Sequence, residues 1–190
     1  YDRLVGSEMC IRDRSYTGDF RKVVAGQDAY VAMSNATNTV SFSYDGESWI
    51  TRSLPTTDNW VDIAFGNGYF IMIAEGSNNV VTSQDGLTWT AQTIPDSDDS
   101  TTAQWQKIEY GAGRFVAISG SGNQSAVTGN GSSWTLYLNA LPAGDYDFSG
   151  FAYGDNRFVD VTFDGKTLFS IDRGQTFKTG TNIPQLGGVD

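Results

Sequence analysis

The chain has 190 residues, with 22 acidic and 12 basic side chains, one cysteine and no histidine. Without histidine there is no Ser-His-Asp triad and no histidine-ligated zinc or iron, and one thiol forms neither an internal disulfide nor a cysteine metal site. A net charge of -10 argues against nucleic acid and anionic membrane surfaces as partners, and the longest apolar run is far shorter than the ~20 residues that span a bilayer.

The N-terminal segment differs in character from the rest of the chain. Residues 4–14 read LVGSEMCIRDR and resemble the translation of a transposase-based sequencing-library adapter, with every one of these positions matched. We therefore predict that residues 1–14, including Cys10, are a non-native segment and exclude them from the fold. The alternative is a mobile N-terminal arm.

Four copies of one repeat unit occupy residues 15–190, which we interpret as a single domain. The copies begin at aromatic residues spaced by 40, 45 and 43 positions, namely Phe20, Trp60, Trp105 and Phe148. The units cover approximately residues 20–59, 60–104, 105–147 and 148–187, and residues 188–190 match the start of a fifth. Such self-similarity predicts stacked units that share one continuous core.

The second unit shows the strand pattern most clearly. Trp60 to Phe65 alternates and is rich in β-formers, and a glycine turn leads into the apolar run from Tyr69 to Ala74. Val80 to Ser83 and Thr88 to Thr93 follow as two more strands, and Asp85-Gly86 between them favours a two-residue type I′ turn. Four strands per unit predict an all-β fold, a β-propeller fragment of four four-stranded antiparallel blades.

The turn between the third and fourth strands carries a recurring motif. Ser170 to Phe177 fits the pattern S-x-D-x-G-x-T-W/F, and the other copies have a version that is one residue shorter. We expect the carboxylate to accept backbone N–H groups, the glycine to supply a positive φ and the aromatic residue to pack beneath the turn. The motif residues, predicted to be structural, are Ser43, Asp45, Trp49, Ser83, Asp85, Trp89, Asn130, Trp134, Ser170, Asp172 and Phe177.

From Phe20 onward these motifs resemble the Asp-box (BNR) repeat β-propellers, which have the sialidase-like fold and include photosystem assembly factors. The chain is also similar to repeat arrays in phage tail and structural proteins and in bacterial surface proteins from environmental samples. The resemblance implies that the Asp-box turns lie opposite the ligand site. It also implies a larger ring, since six to eight blades are usual in such arrays.

A sialidase would need an arginine triad, a Tyr-Glu nucleophile pair and an aspartic acid/base, as the resemblance implies. Arg114 and Arg157 share one repeat position and Arg173 lies in a motif turn, which leaves only Arg21 and Arg52. We therefore assign no catalytic residue and expect a protein that is not an enzyme. The alternative is part of a sialidase-like glycoside hydrolase whose catalytic residues lie on further blades.

Ligand binding is expected where the loops between second and third strands and the connections between units emerge together. The candidate residues on these loops are Asn38, Asp58, Asn59, Asn78, Asn79, Asp96, Asp98, Asp99, Asn123, Asp145, Tyr146 and Asp147. Exposed loops without a ligand would have the same polar composition. The cluster from Asp96 to Asp99 could hold calcium, but its spacing fits no calcium-loop pattern, so a solvated loop is favoured and neither a metal nor a cofactor is assigned.

The sequence therefore predicts a binding or structural propeller, carried by a phage tail or cell-surface adhesion protein on a virion surface or outside the cell. Its partners would be a glycan or a protein receptor, together with the rest of the same propeller in a longer chain. Neither nucleic-acid binding nor membrane insertion is expected.

Overall fold

The computed structural model describes residues 19–35, 37–96 and 103–184. These ranges contain sixteen β-strands and no helix, which confirms the predicted all-β class. No helix that could cross a membrane is found in this part of the chain. The predicted non-native segment at residues 1–14, the start of a fifth unit at residues 188–190, and Asp98 and Asp99 lie outside the described residues.

The strands form four antiparallel sheets, each built from four strands that are consecutive in sequence. Blade 1 contains β1 (Phe20–Ala25), β2 (Tyr30–Ser34), β3 (Thr37–Ser43) and β4 (Ile50–Asp58). Blade 2 contains β5 (Trp60–Gly66), β6 (Tyr69–Ala74), β7 (Asn79–Ser83) and β8 (Thr90–Thr93). Blade 3 contains β9 (Trp105–Gly111), β10 (Arg114–Ser119), β11 (Ser125–Thr128) and β12 (Trp134–Tyr137). Blade 4 contains β13 (Phe148–Gly154), β14 (Arg157–Thr162), β15 (Thr167–Ser170) and β16 (Lys178–Thr179).

The order of strands within a blade places the first strand innermost. Strand β5 contacts both β1 and β9, and β9 contacts β13, so successive first strands pack against one another. The remaining strands follow outward in chain order. The first strands therefore surround the propeller axis, and the fourth strands form the rim.

Each pair of neighbouring blades buries an apolar core between them. Side chains alternate along a strand, so in β10 Phe115 and Ala117 face blade 2, while Val116 and Ile118 face blade 4. Because both faces are covered, β10 is apolar almost throughout rather than alternating between apolar and polar residues. We term the face that meets the preceding blade the leading face, and the opposite one the trailing face.

The predicted two-residue type I′ turn at Asp85-Gly86 is wrong. Strand β7 ends at Ser83 and β8 begins only at Thr90, so residues 84–89 form a longer loop. A type I′ turn needs positive φ at both central residues. Gly86 has φ +72°, but Asp85 is not among the residues with positive φ. The carboxylate of Asp85 organises this longer loop instead, through the hydrogen bonds described below.

The meander gives the propeller two distinct edges. The loops between first and second strands and between third and fourth strands lie at one edge, which we term the bottom. The loops between second and third strands, and the links between blades, lie at the opposite edge, the top. The motif turns and the predicted binding loops are therefore on opposite edges.

Candidate functional site

The motif carboxylates at the bottom edge are engaged within their own turns. Asp45 Oδ1 accepts hydrogen bonds from the backbone N–H groups of Ser48 and Glu47 at 2.7 and 2.8 Å, and these donors lower the pKa of Asp45 to about 2. Asp85 and Asp172 each accept two backbone N–H groups in the same way. These carboxylates therefore stabilise the turns.

The other motif residues close the same turns. The indole N–H groups of Trp49, Trp89 and Trp134 each donate to a glycine carbonyl within the turn, at 3.1, 3.1 and 2.9 Å. The hydroxyls of Ser43, Ser83 and Ser170 donate to the motif carboxylates. In the third turn the Asn130 amide oxygen accepts from the backbone of Ser132. Phe177, at the fourth, is buried in the core between blades 3 and 4.

Most predicted binding residues at the top edge hold the loops to one another. Asp58 accepts from the Ser77 hydroxyl at 3.1 Å and from the Asn79 amide at 2.6 Å. The Asn59 amide donates to Glu75 at 3.0 Å. These bonds join the end of blade 1 to the top of blade 2.

The same arrangement recurs between later blades. The indole of Trp105 donates to Asn78 Oδ1 at 3.1 Å, and the Asn78 amide donates to Asp96 at 3.2 Å. The Asn123 amide nitrogen, in the orientation that satisfies its neighbours, donates to the carbonyls of Pro142 and Gly144. Asn78 and Asn123 thus cross-link the top loops.

Four predicted binding residues at the top expose their side chains to solvent, namely Asn38, Asp96, Asp145 and Asp147. Among the described residues no group of three or more acidic or cysteine side chains could hold a metal ion. Asp98 and Asp99, which belong to the calcium alternative, lie outside the described residues. The calcium alternative therefore stays open.

A pocket of about 330 Å³ opens at the top edge between blades 3 and 4, and we term it the rim pocket. It brings the predicted residues Asp145 and Tyr146 together with Lys166, Thr179 and Asn182. Its walls thus combine a carboxylate, an aromatic ring, an ammonium group, a hydroxyl and an amide. Such a set provides donors and acceptors for a polar ligand and an apolar surface for its carbon skeleton.

Local contacts fix the two groups at the centre of the rim pocket. The Tyr146 ring stacks on Phe148 with centroids 5.4 Å apart, its hydroxyl donates to the Pro142 carbonyl at 2.9 Å, and burial raises its pKa. Lys166 forms a 2.8 Å ion pair with Asp164, which raises the pKa of Lys166. The tyrosine is therefore preoriented and the lysine stays charged at neutral pH.

Charged residues of the first strands form a second cluster, which the sequence analysis did not identify. Lys22 of β1 donates to Asp62 Oδ1 at 2.7 Å, and Asp62 Oδ2 accepts from the backbone of Ile108 in β9 at 2.8 Å. Burial raises the pKa of Glu109. The positive charge of Lys22 opposes this shift, and the negative charge of Asp62 adds to it. A single carboxylate therefore connects three blades around the axis.

Asp160 of β14 completes this axial cluster and is its most unusual member. It is fully buried, and both of its carboxyl oxygens lack a hydrogen-bond partner. Burial raises its pKa to about 8, although the adjacent backbone N–H of Val161 and then the charge of Lys107 oppose the shift, and the charge of Asp62 adds to it. The sequence did contain a signal, because the equivalent positions of the other units are Ala32, Met72 and Ala117.

Comparisons with known proteins identify the fold and no family. The sequence matches no protein-family model and no curated protein. Among solved structures, a YCF48 bound to a peptide has a TM-score of 0.59 and 18% identity, over 88% of this chain and 54% of that chain. Virginiamycin B lyase from Staphylococcus aureus has a TM-score of 0.72 and 11% identity, over 85% and 55%. A GH74 enzyme from Niastella koreensis has a TM-score of 0.57 and 20% identity, over 80% and 22%.

These likenesses, together with the four sheets, show that the chain has a β-propeller fold. The chain spans about half the length of the YCF48 and lyase structures. At such low identity the neighbours carry no further statement about activity or partner. These neighbours nevertheless include both a protein bound to a peptide and enzymes.

The expectation that this protein is not an enzyme is wrong as a conclusion from its sequence. Two of the neighbours, the lyase and the GH74 enzyme, are enzymes with this fold. The expectation rested on the absence of histidine and of an arginine triad, which excludes only particular catalytic arrangements. Because one fold can host unrelated chemistries, the propeller does not separate enzymes from binding proteins.

Proposed function

We propose that this propeller is a recognition module that binds its partner at the top edge, with the rim pocket as the primary contact. The observation that carries this proposal is the pocket of about 330 Å³ in which Asp145, Tyr146 and Lys166 meet. Two of these three residues are among those predicted from sequence to bind a ligand. The loops beside the pocket are held together by hydrogen bonds, so little conformational entropy is lost when a ligand binds.

The chemistry of the rim pocket fits either a glycan or a segment of a protein receptor. A sugar would pack against the ring of Tyr146. Its hydroxyls would form hydrogen bonds with Asp145, Thr179 and Asn182, all of which line the pocket. A peptide would place an acidic group at Lys166 or a basic group at Asp145. The peptide-bound YCF48 neighbour supports a protein partner on this fold.

The biological context that we propose is a phage tail or cell-surface adhesion protein, on a virion surface or outside the cell. The motif turns support assignment of the chain to the Asp-box repeat propellers with the sialidase-like fold. A rigid array of such modules converts weak individual contacts into avidity. The net charge of -10 favours neutral or basic partners over anionic ones.

The test is a binding screen with glycan and peptide arrays, followed by titration of each hit. Lys166→Ala and Asp145→Ala should each weaken binding about tenfold or more, as the loss of a contact at the centre of an interface does. Lys178→Ala is the matched control, because Lys178 is an exposed lysine of the same blade that does not line the pocket. Equal binding by all three variants would refute the rim pocket as the contact site.

Glycoside hydrolysis is a second candidate function, and the axial cluster favours it. Glu109 is only partly buried and has a raised pKa, and a carboxyl group with a perturbed pKa is typical of acid/base catalysis. Asp160 is fully buried and does not reach a substrate. Turnover of chromogenic glycosides that is lost in Glu109→Gln would support this function. Absence of turnover with every substrate in a broad panel would count against it.

A further inference from the structure

The leading face of blade 1 exposes residues whose counterparts in blades 2 and 3 are buried. Val23 is 57% exposed, whereas Ile63 and Ile108 at the equivalent position are 0% exposed. Tyr30 is 40% exposed, whereas its counterpart Phe70 is 2% exposed. The face is concave as well, with an apolar pocket of about 440 Å³ whose walls include Ala32, Ser41 and Trp49. It has the composition of an interface between blades.

The trailing face of blade 4 is the complementary half of such an interface. Val159, Val161 and Phe169 are partly exposed there. Their counterparts in blade 1, Val31, Met33 and Phe42, are at most 2% exposed because blade 2 covers them. The chain therefore presents one uncovered face of each kind.

Glycine positions repeat in the trailing face of blade 4 a notch that the other blade interfaces fill. A Cβ on Gly26, Gly66 or Gly111 would lie 2.0 to 2.3 Å from an aromatic ring of the following blade. At the equivalent Gly154 of blade 4 nothing lies within 4 Å. Gly66 and Gly111 meet the first-strand rings Tyr110 and Tyr153, whose counterpart in blade 1 is Ala25. Gly26 meets Phe70, whose counterpart on the leading face is Tyr30, so Tyr30 would fill the notch at Gly154 as Phe70 fills the one at Gly26.

The motif glycines show that the leading face of a blade is shaped to meet the trailing face of the preceding blade. A Cβ on Gly86, Gly131 or Gly174 would collide with the trailing face of the preceding blade, at 2.4 to 2.9 Å. Gly46 of blade 1 has only Tyr30 of its own blade within 4 Å, at 3.9 Å. In the other blades this glycine lets the turn approach its neighbour closely, so blade 1 is built for a neighbour with a trailing face.

We propose that the two faces are covered by a second copy of this chain, packed head to tail, so that two chains close one propeller ring. A two-fold axis along the propeller axis then places each leading face on the partner's trailing face. The new contacts repeat the interface that already joins blades 1 to 4, with Tyr30 against Gly154 and Gly46 against Val159. The chain aligns with about half of the lyase propeller, 55% of its length, so two chains supply enough blades for a ring.

Both chains carry a net charge of -10, and their repulsion opposes the pairing. Salt screens this repulsion and leaves the apolar contacts intact. The dimer should therefore be tighter at high than at low ionic strength, in contrast to an association held by ion pairs.

The experiment measures the mass of the full 190-residue chain in solution by light scattering after gel filtration. A reductant is included so that Cys10 cannot form a disulfide between chains. We expect a species of twice the 20.6 kDa chain mass. A monomer at all concentrations and salt levels would overturn the proposal and indicate that another partner, such as further blades, covers these faces. Polymers longer than two chains would overturn the closed ring.

Two variants and a control test the faces separately. Gly154→Leu fills the notch on the trailing face, and Val23→Asp places a charge on the leading face. Each should raise the dissociation constant about 100-fold, as the loss of a central contact does. Gly129→Leu is the matched control, because its Cβ meets nothing within 4 Å and its counterpart Ile171 is 61% exposed. Unfolding midpoints equal to that of the wild type show that each variant is folded.

Mixing the two variants distinguishes head-to-tail packing from other modes. Gly154→Leu chains retain an intact leading face and Val23→Asp chains retain an intact trailing face, so a mixture can form one unmodified interface. We expect heterodimers in the mixture while each variant alone is monomeric. If Gly154→Leu alone remains fully dimeric, the pairing does not use the trailing face and the proposal fails.

Discussion

Asp160 is a buried acid that should make the stability of the propeller fall as the pH rises. Its pKa is about 8 in the folded protein, against an ordinary value of 3.8. Between these two values the folded state holds a proton that the unfolded state has released, so raising the pH favours unfolding. A difference of this size corresponds to at most ~6 kcal/mol. Relaxation and water entry reduce the penalty of a buried charge, so we expect a loss of ~3 kcal/mol between pH 4.5 and pH 8.5.

The assay compares the wild type with Asp160→Ala and Asp160→Asn by urea denaturation across this pH range, followed by tryptophan fluorescence. Alanine already occupies the equivalent position in blades 1 and 3, at Ala32 and Ala117, so the first variant should fold. The asparagine variant keeps the volume and removes the titration. Both variants should gain stability relative to the wild type as the pH rises. Parallel curves for all three proteins would refute the assignment of Asp160 as a buried, protonated acid.

Two further predictions concern the blade interface and the motif turns. Gly66→Ala places a methyl group 2.0 Å from the Tyr110 ring and should lower the free energy of unfolding by about 1–3 kcal/mol through overpacking. The control Gly129→Ala should have little effect. Equal urea midpoints for the two variants would contradict this prediction. Asp45 has a folded pKa of about 2, below its ordinary value, so its contribution to stability is present above pH 4 and is lost as the pH falls toward 2. Thermal unfolding of Asp45→Asn should therefore show a weaker dependence on acid than the wild type, and an unchanged dependence would contradict the role of this carboxylate.

The sequence allowed the β-propeller class and the strand pattern to be predicted because both depend on local patterns. Strands alternate with a period of two residues, and each motif turn closes through bonds between residues two to four positions apart, as at Asp45 and Asp172. The turn is longer than the Asp85-Gly86 pair predicts because the Asp85 carboxylate accepts the backbone N–H groups of Leu87 and Thr88 and so organises a longer loop. The top edge was identified from strand order alone.

The candidate site depended on contacts between distant parts of the chain, which no local pattern specifies. The sequence identified Asp145 and Tyr146 as candidates, but Lys166 joins them only because blades 3 and 4 pack side by side. Likewise, Asp62 meets Lys22 and Ile108 across 40 and 46 residues. Whether Asn78 contacts a ligand or another loop depends on where the next blade places Trp105.

The sequence by itself thus determined the repeat, the four-stranded unit and the closed motif turns, since each arises from interactions within about 45 residues of chain. The tertiary structure decided which polar groups are engaged, which acid is buried and which two faces are left uncovered. The physical reason is that side-chain burial and hydrogen bonding at the top edge and the axis are properties of neighbouring blades. The sequence shows that Asp160 differs from its counterparts Ala32, Met72 and Ala117, but only the packing of the blades shows that its carboxyl group is buried.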